Sequence, residues 1–217
     1  DPYRNFLPSI GRLSRYRPPA EASLNGVTVR NDTGVTEGGE ISIHYDPMIA
    51  KLVTHAPDRV AAIQAQSNAL DAFVIDGIRH NIPFLAALMQ HPRWKAGKLS
   101  TGFIAEEFPE GFHPIAPQGE GAELIAAVAA AIDHVLGERK RRISGQMNGR
   151  EVTRERRRAV RLGEQWLTLE VARETDGIAV HFVTANGDVG PGRVLVSSWK
   201  PGDPVWNGFA QGRPVAV

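Results

Sequence analysis

The sequence contains no cysteine among its 217 residues, so neither a disulfide framework nor a thiolate-ligated metal site can form. It also lacks any run of about 18 apolar residues, the length that a membrane-spanning helix needs. Charge of one sign is not in excess, because 25 Lys and Arg stand against 24 Asp and Glu. A nearly neutral chain has no overall electrostatic attraction to nucleic acid. These absences predict a protein that binds neither nucleic acid nor a membrane.

Recognisable motifs for nucleotide phosphates and metals are missing as well. Neither Gly-x-Gly-x-x-Gly nor a Gly-Lys-Ser/Thr phosphate loop occurs, and the histidines have no ligand spacing such as His-x-x-x-His. Glu106 and Glu107 are neighbours, so on a helix they should point in different directions, as solvated surface rather than as an acid–base pair. We therefore predict no catalytic residue and no metal ligand in this chain.

The first half of the sequence predicts a mixture of strands and helices. Ile41 and Ile43 alternate with polar residues, and Met48–Val53 is typical of a more buried strand. Asp58 is a good N-cap for a helix that Gly77 should end.

The second half predicts one helix followed by a meander of strands. An Ala-rich helix is expected over Glu123–Leu136, stopped by Gly137. Short alternating runs follow, separated by the hairpin-type pairs Asp176-Gly177 and Asn186-Gly187. An antiparallel sheet should therefore curl around, or pack against, the helix.

Several segments, in order along the chain, resemble the C-terminal part of biotin carboxylase domains. These are Phe6–Leu13, Tyr45–Leu52, Asn68–Leu70, Ile75–Ile78, His80-Asn81 and Thr101–Ile104. The chain is thereby similar to the biotin-dependent acyl-CoA carboxylases, and the wording of Ser9–Tyr16 is most similar to the alpha subunits of the propionyl-CoA branch.

The resemblance implies an α+β chain of two domains. Residues 1–112 would be the C-terminal part of a biotin carboxylase domain, an antiparallel sheet with helices. Residues 113–217 would be a subunit-joining domain, a long helix packed in an antiparallel barrel-like sheet that continues past residue 217. The Asp1-Pro2 start indicates a piece of a longer polypeptide.

The resemblance also implies cofactors and partners for the intact subunit. That subunit would use ATP, Mg²⁺ and bicarbonate to carboxylate biotin, and a carboxyltransferase beta subunit would pass the carboxyl group to propionyl-CoA. The ATP-grasp region would precede Asp1 and the biotin carrier domain would follow Val217, so this stretch alone is expected to be inactive and to carry no covalent biotin. Its location would be a bacterial cytoplasm or a mitochondrial matrix.

Some residues acquire expected positions from the resemblance. Tyr45 and Asp46 would lie near the carboxylase reaction site, and Thr101 would border the adenine pocket, although Asp46 could equally bond to nearby backbone or arginine. Arg30 corresponds to a residue that pairs subunits in stand-alone biotin carboxylases. A basic stretch after the helix offers a charged rim for a partner: Arg139, Lys140, Arg141 and Arg142.

Two alternatives stay open at this point. The substrate could be another acyl-CoA, such as methylcrotonyl-CoA, because substrate choice belongs to the beta subunit. Alternatively, the chain could belong to a scaffold that descends from such a carboxylase and performs no chemistry.

Overall fold

The computed structural model describes residues 1–113, 115–141 and 155–217. They form two compact units, Asp1–Pro114 and Ile115–Val217. Over the described ranges, no helix combines the length and the apolar character that crossing a membrane would require.

The first unit is α+β. Over residues 1–113 it contains a three-stranded antiparallel sheet of order β3-β4-β6, the two-stranded ribbons β1-β5 and β2-β7, and short helices. After a 3₁₀ turn at Pro2–Arg4, the elements are β1 (Gly11–Arg12), β2 (Arg15–Arg17), β3 (Ala22–Leu24), β4 (Val27–Thr33), β5 (Glu40–Ile41), β6 (Ala50–His55), α1 (Arg59–Asp71), β7 (Val74–Asp76), α2 (Ile82–Gln90), α3 (Pro92–Lys95) and α4 (Phe103–Glu107).

The helix that Asp58 caps is shorter than predicted. The Asp58 carboxylate accepts a hydrogen bond from the Ala61 amide at 2.8 Å, as expected for an N-cap. However, α1 ends at Asp71, and Val74–Asp76 form strand β7 instead of a last helical turn. β7 pairs with β2, so tertiary pairing outweighs the helical spacing of its apolar residues. Gly77 is a turn residue with φ of 99°, and a Cβ there would lie 2.2 Å from the Arg12 carbonyl oxygen.

The two strands predicted near residues 41 and 48 also differ in their bounds. β5 contains only Glu40–Ile41, and Ile43 is 67% exposed. The second strand, β6, begins at Ala50 because the Met48 amide donates to the Asp46 carbonyl in a tight turn at 2.7 Å. Its side chains alternate between half-buried and exposed, so it is less buried than its apolar composition predicted.

Tyr16 holds β2 against β4. Its side chain is 8% exposed, and its hydroxyl donates to Thr33 Oγ1 at 2.9 Å and accepts from Asn31 Nδ2 at 3.2 Å. The tyrosine of the Ser9–Tyr16 segment therefore has a structural role in the small core around Leu13 and Ile41.

The second unit confirms the prediction of one long helix against an antiparallel sheet. The helix contacts β8, β9, β10 and β11. The sheet is a meander of order β13-β12-β11-β10-β9-β8. The elements are α5 (Gly119–Arg141), β8 (Arg157–Leu162), β9 (Gln165–Glu174), β10 (Gly177–Val183), β11 (Val189–Ser197), β12 (Asn207–Ala210) and β13 (Arg213–Ala216).

The prediction that Gly137 stops the helix is wrong. α5 begins earlier, at Gly119, and continues through a buried Gly137 to Arg141. An internal glycine costs a helix only about 1 kcal/mol relative to alanine, which the burial of so much of this helix outweighs.

Small side chains line most of the buried surface of α5. Of the predicted stripe, Val128 is fully buried, whereas Leu124 and Ile132 are partly buried against the same core. The sheet supplies Leu169, Val171, Val180 and Leu195. The helix supplies the buried alanines Ala122, Ala126, Ala127, Ala130 and Ala131.

Both predicted turn pairs lie at hairpins. Glu174 pairs with Gly177, so the first loop consists of Thr175 and Asp176. Asn186 and Gly187 lie in the longer loop between β10 and β11, where Gly187 has φ of 88°.

Candidate functional surfaces

A cavity in the first unit brings together residues from five of the segments that resemble biotin carboxylases. Its volume is about 490 Å³, and its walls include Leu7–Ser9, Asp46–Ala50 and Arg79–Ile82. The Arg79 amide donates to Ser9 Oγ at 3.0 Å, which fixes two of these segments to each other. Segments that are distant in the sequence therefore form one concave surface.

The residues predicted to lie near the reaction are only partly gathered there. Asp46 lines the cavity, whereas the adjacent Tyr45 is 83% exposed. Thr101 is an exposed turn residue just before α4 and does not belong to the described lining of this cavity. Roles near the carboxylase site for all three residues stay predictions.

The cavity does not suit the phosphate groups of a nucleoside triphosphate. Its described walls are mainly apolar, and their Asp, Glu, Lys and Arg residues are Asp1, Asp46 and Arg79, two carboxylates against one guanidinium. Binding a triphosphate calls for several convergent donors and positive charges. Likewise, no group of three or more His, Asp or Glu among residues 1–113, 115–141 and 155–217 could hold a metal ion.

His80, at the wall of this cavity, has an altered protonation equilibrium. Burial, followed by the neighbouring Arg79, lowers the pKa of the imidazole below its usual value. Its Nδ1 is buried without a hydrogen-bond partner. The neutral imidazole is therefore the form that the folded protein favours.

Arg93 organises the segment that precedes Thr101. Its Nε donates to the Lys98 carbonyl at 2.9 Å, and its Nη1 lies 2.5 Å from Glu106 and 2.7 Å from Glu107. The hydrogen bond from Arg93 lowers the pKa of Glu107. The two glutamates thus converge on one guanidinium at the end of the short α4, and the expectation that they point apart is wrong.

Arg30 is an exposed residue of β4 with a local partner. It forms a two-point pair with Asp32, at 2.9 and 3.0 Å, on the same face of the strand. A subunit contact through Arg30 stays a prediction.

The basic stretch begins in the last turn of α5. Arg139, Lys140 and Arg141 are exposed there, where cations favour the negative end of the helix dipole. Arg142 lies outside the residues that the structure describes. Arg141 and Arg156 line one cavity of about 300 Å³, so the last residue of α5 and an arginine just before β8 share a surface.

Three arginines of the sheet instead point at the helix and bind its carboxylates. Arg158 of β8 lies 2.6 Å from Asp133, Arg173 of β9 lies 2.6 Å from Glu138, and Arg193 of β11 lies 2.5 Å from Glu123.

These three pairs were not predicted from the sequence, although the sequence carries a signal for them. Each arginine occupies the same alternating positions as the core residues of its strand. Arg173 follows Leu169 and Val171, and Arg193 precedes Leu195 at a spacing of two. Because side chains two apart share a face of a strand, the alternation places these arginines on the core side.

His134 lies beside two of these pairs. Burial lowers its pKa, the Glu138 carboxylate opposes this, and Arg173, Arg158 and Arg141 lower it further. Its Nε2 is 3.5 Å from Glu138.

Two family models match the chain and account for both units. A biotin carboxylase C-terminal domain matches residues 1–106, and a propionyl-coenzyme A carboxylase BT domain matches residues 125–217. The chain therefore belongs to the biotin-dependent carboxylases and joins these two domains in one polypeptide.

Two related proteins are consistent with this assignment. The chain is 45% identical to the propionyl-CoA carboxylase alpha chain of Ruegeria pomeroyi over all of its length, and spans 33% of that protein. It is 36% identical to the mitochondrial methylcrotonoyl-CoA carboxylase subunit alpha of Dictyostelium discoideum over 65% of its length and 20% of that protein. The solved biotin carboxylase domain of the Hydrogenobacter thermophilus 2-oxoglutarate carboxylase is also similar to this chain. The match covers 51% of this chain and 23% of the solved chain, with 34% identity and a TM-score of 0.45.

The two partly buried histidines predict a loss of stability in mild acid. The folded state lowers the pKa of His80 and His134. In the unfolded state these imidazoles have a pKa of about 6.5, so below that pH the unfolded state binds more protons than the folded state. The free energy of unfolding should therefore fall as the pH drops below about 6.5. Urea titrations between pH 8 and pH 5 measure this dependence.

The variant with His80→Gln and His134→Gln should lose part of the slope. His44→Gln, at an exposed turn position, is the matched control and should retain it. An equal slope in the double variant and the parent would contradict the assignment to these two groups.

Proposed function

We propose that this chain is part of the alpha subunit of a propionyl-CoA carboxylase. The whole subunit would carboxylate its biotin with ATP, Mg²⁺ and bicarbonate, and a carboxyltransferase beta subunit would transfer the carboxyl group to propionyl-CoA. The observation behind the proposal is the order of the domains, a biotin carboxylase C-terminal domain followed by a propionyl-coenzyme A carboxylase BT domain. The enzyme would work in a bacterial cytoplasm or a mitochondrial matrix.

The first unit, in this proposal, is a supporting wall of the carboxylase site. Asp46 and its turn would face the reaction from the 490 Å³ cavity, and the Arg93 cluster would hold the Ser100–Ile104 segment in place. The domain boundary would lie near residue 113, which the division into compact units after Pro114 supports.

ATP, Mg²⁺ and biotin would be held by other parts of the subunit. The charge of the cavity, with two carboxylates and one guanidinium, does not fit ATP phosphates. An Ala-Met-Lys-Met segment, the biotin-bearing motif of the family, does not occur among the 217 residues.

The 217-residue chain by itself should accordingly be inactive. Co-expressed with a biotin ligase, it should give no streptavidin signal, because it offers no acceptor lysine in the required motif. Incubated with ATP, Mg²⁺ and bicarbonate, it should release no phosphate above the buffer blank. A full-length alpha subunit is the positive control, and a streptavidin-positive chain would contradict the proposal.

The second unit would join alpha to beta, and the exposed basic end of α5 is the surface proposed for the contact. Charged groups at the rim of an interface guide association and choose the partner. Arg139, Arg141 and Arg156 suit this role because they are exposed beside a cavity or at the helix end. Arg158 does not suit it, since its side chain is only 16% exposed and paired with Asp133.

Charge reversal at the helix end tests this docking role. The chain should compete with the full alpha subunit for the beta subunit, and Arg139→Glu with Arg141→Glu should weaken that competition about tenfold, or about 1.4 kcal/mol. The dependence of binding on ionic strength should also decrease, because two favourable charges are lost.

The matched control is Arg161→Glu with Arg213→Glu, which makes the same change of charge at exposed positions of the sheet. Pull-down with the beta subunit at two salt concentrations measures both pairs. Equal binding by the helix-end variant and the parent would show that the interface lies elsewhere.

An enzyme for methylcrotonyl-CoA is the second candidate. The Dictyostelium relative favours it, but at lower identity and over a smaller part of the chain than the propionyl-CoA relative. Assaying the complete complex with both acyl-CoA substrates distinguishes the two candidates.

A further inference from the structure

The buried alanines of α5 leave its lengthwise position in the sheet weakly determined by apolar packing. Ala122, Ala126 and Ala130 follow one another at intervals of four, and so do Ala127 and Ala131. Sliding the helix by four residues, about 6 Å, would therefore place alanine where alanine was at three of these five sites, and Ile132 or Leu124 where Val128 was. Small side chains of one size supply little of the shape complementarity that selects a unique packing.

The carboxylates of the helix have no such repeat. Glu123, Asp133 and Glu138 are separated by ten and five residues, and each binds an arginine from a different strand. A slide of four residues would put Gly119 or Ala127 against Arg193, and Ala129 or Gly137 against Arg158.

Burial makes such a slide unfavourable. The Arg158 and Arg193 side chains are each 16% exposed, and the Glu138 side chain is 15% exposed. A charge with that little exposure is strongly disfavoured when it has no partner. The ion pairs therefore discriminate between registers that the alanines do not.

We propose that Arg158, Arg173 and Arg193 are positioning residues that fix the register of α5 in the sheet, and thereby the place of its basic end. The consequence for docking rests on the proposed function, whereas the register itself does not. A polar contact that selects one register among several apolar ones is a known role of buried polar groups in helical assemblies.

The experiment removes all three pairs without leaving a buried charge unpaired. One variant carries Arg158→Met, Arg193→Met, Arg173→Gln and Glu138→Gln. The control carries Arg161→Met and Arg213→Met, at exposed arginines of the same sheet that have no pair with α5 among the described residues.

The register is read as a distance. Because the chain has no cysteine, spin labels attach only at two introduced sites: Ala129→Cys on an exposed position of α5, and Ala185→Cys in the exposed loop between β10 and β11. Pulsed electron paramagnetic resonance then measures the distance between the two spin labels in the otherwise unchanged 217-residue chain.

The parent and the control should each show one narrow distance. The variant without the pairs should show a broadened distribution, or a second population displaced by about one helical turn, ~5.4 Å. A purely stabilising role would lower the melting temperature and leave one narrow distance. An unchanged narrow distance in the variant would therefore overturn the proposal.

If that variant does not fold, a swap of one pair decides. Arg193→Glu alone faces Glu120 and Glu123 and should broaden or lose the distance, whereas Glu123→Arg with Arg193→Glu should restore it. A swap no better than the single change would reject the positioning role.

Binding of the beta subunit distinguishes the register of α5 from its consequence for docking. A changed distance with reduced binding supports both the register and the docking role. A changed distance with unchanged binding supports the register and removes the helix end from the proposed interface.

Discussion

The second unit depends on the interactions that hold α5, whose buried side chains are mostly small, at one lengthwise position against the sheet. Burial of the alanines and of Val128 against Leu169, Val171 and Val180 supplies the apolar stabilisation. That stabilisation has little directional preference, whereas an arginine that is only 16% exposed, such as Arg158 or Arg193, is strongly disfavoured away from its carboxylate. Three arginines from three strands thus convert a general apolar contact into one arrangement of helix and sheet.

Much of this architecture could be predicted from the sequence, and the failures have physical causes. Hydrophobic periodicity and turn pairs predicted the long helix and the meander, because both depend on local patterns. The helix ends predicted at Gly77 and Gly137 were wrong, since strand pairing at Val74–Asp76 and burial at Gly137 are tertiary effects. The candidate cavity could not be predicted from the sequence, because the residues that line it, such as Ser9, Asp46 and Arg79, are far apart along the chain. The inward arginines were predictable from strand alternation alone.

In the proposed function, the two units make different contributions to one enzyme. The first presents a mainly apolar cavity with few charges, which suits support of a reaction site better than binding of a nucleotide. The second presents a helix end with exposed basic residues. Nearby arginines of the sheet form ion pairs with carboxylates of the same helix. This division separates Arg139 and Arg141, which are exposed at the helix end, from Arg158 and Arg173, which pair with carboxylates of α5.

A double-mutant cycle on Asp133 and Arg158 tests the central claim, that these internal pairs hold the helix in the sheet. Free energies of unfolding would be measured for Asp133→Ala, Arg158→Met and the double variant. We expect a coupling energy above about 1 kcal/mol, as for residues in direct contact. Asp133→Ala should be the more damaging single change, because it leaves the Arg158 side chain, only 16% exposed, without a carboxylate. The exposed pair Arg161–Glu164 should give at most about 0.5 kcal/mol. A coupling for Asp133 and Arg158 no larger than that of the exposed pair would contradict the account.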